Sequence, residues 1–154
     1  MSSDSGSHVL GLRSARELLA MLAEREISSV ELLEHFLERN EALHPQINAI
    51  VTLDIERAVA SANASDQRRL DGKAVGELDG LPMTIKDAIA VAGVRSTGGA
   101  IELEHHVPER DAEVVTKVRD AGAVIFGKTN LPRWSGDVQA FNEIFGTTNN
   151  PWNL

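Results

Sequence analysis

The sequence predicts an α/β fold in which a parallel or mixed β-sheet is covered by helices. Between residues 81 and 126 the chain runs from an apolar, strand-like segment through a helical pattern to a second strand-like segment. A strand, a helix and a strand in succession are typical of α/β units. The second strand-like segment, residues 123–126 (AVIF), is a short apolar run of the kind found in strands buried on both faces.

Composition is that of a globular protein. The 154 residues are 42% hydrophobic and 25% charged, which is enough for one domain with a core. The net charge of −8 argues against nucleic acid as a partner, because binding phosphates requires clustered Lys and Arg. The absence of cysteine excludes disulfides, thiolate catalysis and zinc sites built from cysteine.

The start of the chain carries no targeting signal. Residues 1–8 have neither a basic nor an apolar segment, so we expect a disordered tail rather than a secretory signal. No apolar run is long enough to span a bilayer, and no membrane association is expected. These features predict a cytoplasmic protein whose folded part comprises residues 9–154.

Two helices are predicted first. Ser14 and Glu17 have the spacing of a capping box, and apolar residues follow at helical intervals up to Ile27. Ser28 and Glu31 repeat this start signal, and Pro45 is expected to stop the second helix.

A strand and a third helix follow. Residues 47–53 are rich in β-branched side chains and predict a short strand. Residues 54–70 predict a helix that Asp71 and Gly72 close. Four of its apolar residues form a candidate buried stripe: Ile55, Ala58, Val59 and Ala62.

The second half begins with the strand before Asp87 and a Gly-rich turn at residues 94–100. Asp111 is a candidate cap for the next helix, which Ala121 and Gly122 end. Its inward-facing residues are predicted to be Val114, Val115 and Val118. Residues 134–154 have little periodicity and many Gly, Asn and Thr residues, so we expect mostly loop.

Lys86 is a single lysine within an otherwise apolar, strand-like segment, residues 80–87 (GLPMTIKD). The segment favours a side chain drawn into the protein, and a lysine removed from water can become neutral and accept a proton. The alternative is a surface lysine at the end of an edge strand that forms a weak ion pair with Asp87.

Two other patterns predict no site. Residues 122–129 (GAVIFGKT) match the letters of a phosphate-binding loop, but a predicted helix precedes them, a strand runs through them and no helix starts at Lys128. His105 and His106 are adjacent, so in an extended segment they point to opposite faces and do not share a metal ion. No metal or organic cofactor is expected.

Five ordered segments resemble the N-terminal third of amidase signature enzymes. They are residues 80–87, 96–99, 111–116, 121–132 and 145–152. The resemblance implies an α/β fold on a large mixed sheet, and amide hydrolysis by a Ser–cis-Ser–Lys triad.

The resemblance implies roles for particular residues. Lys86 corresponds to the triad lysine, and Lys128 is structural. Ser135 and Asp137 are candidates for contact with a small-molecule amide, the alternative being that both are ordinary polar loop residues. In the family, both catalytic serines follow the segment that resembles residues 149–152, whereas this sequence ends at Leu154. The chain is therefore expected to be inactive alone, with a hydrated Lys86, and to need the remaining C-terminal portion of the enzyme.

Three functions stay open at this point. The first is part of an amidase that converts a carboxylic amide to an acid and ammonia or an amine. The second is the glutamine-hydrolysing subunit of a tRNA-dependent amidotransferase, and the third is a non-catalytic assembly module. Because a sheet without its further strands has unpaired edges, the chain is also expected to associate with itself or with the remaining portion.

Overall fold

The computed structural model describes residues 10–153. The tail predicted for residues 1–8 lies outside the described residues. The helices are α1 (Ala15–Glu24), α2 (Ser29–Ile47), α3 (Ile55–Leu70) and α4 (Glu113–Asp120). The strands are β1 (Ile50–Leu53), β2 (Pro82–Lys86), β3 (Val124–Thr129), β4 (Phe141–Asn142) and β5 (Gly146–Thr147).

The main sheet is mixed and has the strand order β1-β3-β2. Its central strand, β3, runs antiparallel to β1 and parallel to β2, and the β2–β3 register shifts between Met83 and Thr84. Strands β4 and β5 form a separate antiparallel pair. The predicted α/β class with a mixed sheet is confirmed, and residues 134–153 are mostly loop as expected.

Helices cover both faces of this sheet. On one face α2 and α3 pack on β3 through Leu33, Ala58 and Phe126. On the other face α4 contributes Val115, which packs with Ile125 of β3. Alternate residues of β3 therefore enter different cores, which explains why a continuous apolar run was needed at residues 123–126.

Both predicted capping boxes are present. The Ser14 side chain accepts a hydrogen bond from the Glu17 N–H, and Ser28 accepts one from the Glu31 N–H. Pro45, however, does not stop α2. The helix continues to Ile47 and ends where Asn48 adopts a left-handed conformation, with φ of 53°. A proline in the last turn removes one hydrogen bond but leaves the later residues free to follow the helix.

Four other expectations about single elements were wrong. Strand β1 begins at Ile50 instead of residue 47, because α2 extends further. Ile55 and Val114 face solvent, with 47% and 50% of their surface exposed, because each begins a helix on its outer side. Asp111 caps no helix. Its carboxylate instead accepts a hydrogen bond from the Ala92 N–H and pairs with Arg119.

Candidate active site

Lys86 is the last residue of β2, an edge strand, and lies opposite Thr129 of β3. Alternation along the strand turns Ile85 and Asp87 inward, where both are buried, and turns Lys86 outward, where it is exposed. Within residues 10–153 the ammonium of Lys86 has neither a hydrogen bond nor an ion pair. The inward orientation that the local sequence favoured is therefore not found in this chain.

Asp87 is the buried neighbour of this lysine and has only 1% of its surface exposed. Its Oδ2 accepts hydrogen bonds from the Thr97 N–H at 2.9 Å and from the Thr97 hydroxyl at 2.6 Å. Its Oδ1 lies 3.5 Å from the Nζ of Lys128. The sequence suggested an ion pair of Asp87 with Lys86, but the partner is Lys128, on the adjacent strand.

Lys128 lies within β3 and is completely buried. Its Nζ donates to the Ser96 hydroxyl at 2.5 Å and to the Ile89 carbonyl at 2.9 Å. Burial lowers the pKa of Lys128, while the nearby carboxylate of Asp87 raises it by less. No helix begins at this lysine, which agrees with rejecting a phosphate loop, and its contacts are those of a structural residue.

The Gly-rich turn at residues 96–99 meets a second turn at residues 133–135. Gly98 and Gly99 have φ of 61° and 66°, values that favour glycine. The Gly98 carbonyl accepts a hydrogen bond from the Trp134 N–H at 2.8 Å. Trp134 and Ser135 are themselves left-handed, with φ of 53° and 57°. The two turns thus stabilise each other.

Two cavities open beside these turns. One, of about 210 Å³, is lined by Asp87, Gly98, Trp134 and Ser135 among others. The other, of about 320 Å³, is lined by Asp137 and the Gly99 side of the turn. Lys86 lines neither of these two cavities. The predicted substrate residues Ser135 and Asp137 therefore belong to adjacent but separate cavities, and Asp137 also accepts a hydrogen bond from the Val138 N–H.

Sequence reasoning missed the hydrogen-bonded cluster of Asp87, Ser96, Thr97 and Lys128. The strand alternation around Lys86 was the available signal, because it separates Lys86 from Asp87. Metal ligation finds no support in the part of the chain that the structure describes, where no group of three or more His, Asp or Glu side chains is placed to hold an ion. Nor does any helix in residues 10–153 combine the length and apolarity needed to cross a membrane.

Comparison with known proteins agrees with this arrangement. A family model described as Amidase matches residues 31–154. Among similar sequences, the A-type subunit of the glutamyl-tRNA(Gln) amidotransferase of Acidothermus cellulolyticus is 41% identical over 92% of this chain and 28% of its own length. The corresponding protein of Roseiflexus sp. is 43% identical over 96% of this chain and 29% of its own length.

Solved structures give the same result. The peptide amidase of Stenotrophomonas maltophilia superposes with a TM-score of 0.83 at 32% identity, over 91% of this chain and 30% of its own. A fatty acid amide hydrolase superposes with a TM-score of 0.90 at 26% identity, over 100% of this chain and 27% of its own. The chain thus spans less than a third of the length of these relatives. It belongs to the amidase signature family.

Proposed function

We propose that this chain supplies Lys86 to the active site of a hydrolase that converts a carboxylic amide to a carboxylic acid and ammonia or an amine. The nucleophilic and bridging serines would come from a segment outside residues 1–154. The observation that carries the proposal is that Lys86 ends an edge strand with its ammonium unbonded, while its neighbour Asp87 is tied down by Thr97. A free lysine at a fixed backbone position is available to hydroxyl groups that dock beside it.

The chemistry follows from this placement. A lysine covered by a docked segment loses water and favours its neutral form, which accepts a proton. Neutral Lys86 would take a proton from the bridging serine, which takes one from the nucleophilic serine as that oxygen attacks the amide carbon. The relay then returns a proton to the leaving nitrogen, and water hydrolyses the acyl-enzyme. This scheme needs no metal or organic cofactor.

Ser135 and Asp137 are proposed to contact the substrate. Ser135 lines the cavity of about 210 Å³ that also touches Asp87, the residue next to Lys86. Asp137 lines the neighbouring cavity of about 320 Å³. An amide lying across the two turns would place its two substituents in different cavities, which supports one residue for each.

The test combines this chain with the remaining C-terminal portion of a family member and measures hydrolysis of small amides. We expect hydrolysis only in the mixture, and a loss of at least about 10²-fold with Lys86→Ala, since a general base contributes that much or more. Lys73→Ala is the matched control, because Lys73 is an exposed loop lysine. Full activity of Lys86→Ala would contradict the proposal. Complex formation without hydrolysis by the unaltered chain would favour an assembly module.

A second candidate is glutamine hydrolysis within an amidotransferase. It is supported by the relatives that are subunits of glutamyl-tRNA(Gln) amidotransferases, which reach 41–43% identity, whereas the peptide amidase reaches 32%. The same mixture would then hydrolyse glutamine in preference to simple amides and peptide amides. Hydrolysis of simple amides with no activity on glutamine would exclude this candidate.

A further inference from the structure

We infer that Thr97 is a positioning residue for the reaction of Lys86. The Lys128–Asp87 ion pair holds the Thr97 hydroxyl, which holds the Gly98–Gly99 turn against Trp134 at the wall of the cavity of about 210 Å³. This inference rests on the proposed function, to which it adds a residue that touches neither Lys86 nor the cavity.

The hydrogen bonds of Thr97 use all of its side-chain capacity for direction. Thr97 is completely buried. Its hydroxyl donates to Asp87 Oδ2 at 2.6 Å and accepts from the Gly99 N–H at 3.0 Å. Its own N–H donates to the same Asp87 oxygen at 2.9 Å. The hydroxyl therefore links the Asp87 carboxylate directly to the backbone of the turn.

Asp87 is a fixed support for this link. Its N–H donates to the Thr129 carbonyl at 3.0 Å, and its carbonyl accepts from the Gly98 N–H at 3.3 Å. Lys128 lies beside the carboxylate and also donates to Ser96 and Ile89. Because Asp87 directly follows Lys86 in the chain, the support and Lys86 share one rigid strand end.

The turn in its turn positions the cavity wall. The Gly98 carbonyl accepts the Trp134 N–H at 2.8 Å, and a Cβ built on Gly98 would lie only 3.3 Å from the Trp134 ring. Trp134 and Ser135 line the cavity and adopt left-handed conformations that isolated residues of these types avoid. Loss of the Thr97 hydroxyl should let this wall relax relative to Lys86.

The first test measures kcat and KM of the complex formed with the remaining portion of the enzyme, per folded molecule. Thr97→Val keeps the shape and removes the hydroxyl, while Thr97→Ser keeps the hydroxyl. We expect Thr97→Val to lower kcat/KM by about 10- to 100-fold through both a lower kcat and a higher KM, because misplacement near 1 Å has effects of this size. Thr97→Ser should restore most of the activity. The control is Thr116→Val, an exposed threonine of α4.

The second test needs no activity. Amide hydrogen exchange of the chain alone should become faster at Gly99 and Trp134 in Thr97→Val, but not in Thr97→Ser or Thr116→Val. Unchanged exchange at Trp134 would overturn the inference, whatever the activity. An activity loss that only follows the folded fraction would also overturn it, since that indicates a purely structural role.

Failure of the proposed function looks different. In that case the unaltered complex hydrolyses no amide, or Lys86→Ala stays active, and the catalytic part of the inference falls with it. If the unaltered complex is active and depends on Lys86, but Thr97→Val matches it in kcat and KM, only the role of Thr97 is refuted.

Discussion

Replacing Lys128 by methionine should strongly destabilise the chain. Lys128→Met removes the hydrogen bonds to Ser96 and Ile89 and leaves the Asp87 carboxylate, 1% exposed, with Thr97 as its remaining side-chain partner. Removing one partner of a buried ion pair typically costs about 3–5 kcal/mol, because the other charge stays buried without compensation. We expect a loss of this size in the free energy of unfolding, measured by urea denaturation followed by circular dichroism.

A double variant tests the reason for this loss. Lys128→Met combined with Asp87→Asn removes both charges, and the asparagine oxygen can still accept from the Thr97 N–H. The double variant should therefore be more stable than the sum of the two single losses predicts, by roughly 0.5–3 kcal/mol. Lys117→Met is the control, because the Lys117–Glu113 pair is 72% and 82% exposed and should change stability by less than about 0.5 kcal/mol. A loss below about 1 kcal/mol for Lys128→Met, or strict additivity in the double variant, would refute the reasoning.

The pH dependence of the same loss has a definite sign. The pKa of Lys128 in the folded chain is lowered from the ordinary value of 10.5, chiefly by burial. Between the two values the unfolded chain binds more protons, so the contribution of Lys128 to the free energy of unfolding rises with pH. The destabilisation by Lys128→Met should therefore grow as the pH rises toward 10.5. A decrease would mean that attraction by Asp87 outweighs burial.

Three further results are expected. Gly80→Ala should destabilise the chain more than Gly72→Ala: both sites have positive φ and strain costs about 1–2 kcal/mol, but the Gly80 Cβ would also lie 2.0 Å from the Ser29 Oγ, whereas Gly72 has nothing within 4 Å. Equal losses in urea denaturation would contradict this. The Ser14 N–H and hydroxyl lower the pKa of Glu17 to about 2, so the stability from this bond is lost as pH falls from 4.5 to about 2. Ser14→Ala should raise the Glu17 midpoint in an NMR titration, and a midpoint near 4.5 before substitution would contradict the capping box. Finally, sedimentation of the isolated chain should show self-association, and a stable monomer without exposed apolar surface would exclude it.

Much of the fold was predictable because its signals are local. A capping box involves four consecutive residues, so Ser14 and Ser28 announced helices α1 and α2 wherever these pack. The apolar run of β3 likewise reports burial on both faces. Asp111 has the composition of a cap, but its carboxylate is taken by Ala92, nineteen positions away, and Arg119. Local sequence carries no information about such a distant competitor.

The candidate site divides in the same way. Lys86 was found by its contrast with an apolar segment and by ordered motifs around it, and the structural role of Lys128 was also expected. The link from Asp87 through Thr97 to Trp134 was not, since it joins three separate turns and strand ends by contacts across the fold. Pairing between neighbouring charges in sequence suggested Lys86 and Asp87, yet the pleat of a strand places such neighbours on opposite sides.

Close approach of two backbones at Gly127 accounts for the letters that imitate a phosphate loop. A Cβ at this position would lie 2.7 Å from the Thr52 carbonyl and 2.9 Å from the Ile50 side chain, so β1 can pair with β3 only across a glycine. The next residue, Lys128, is retained for its buried contacts. A short pattern can therefore arise from steric packing alone, and substitution of Gly127 should be tolerated worse in any chain of this fold than the loss of a phosphate ligand would explain.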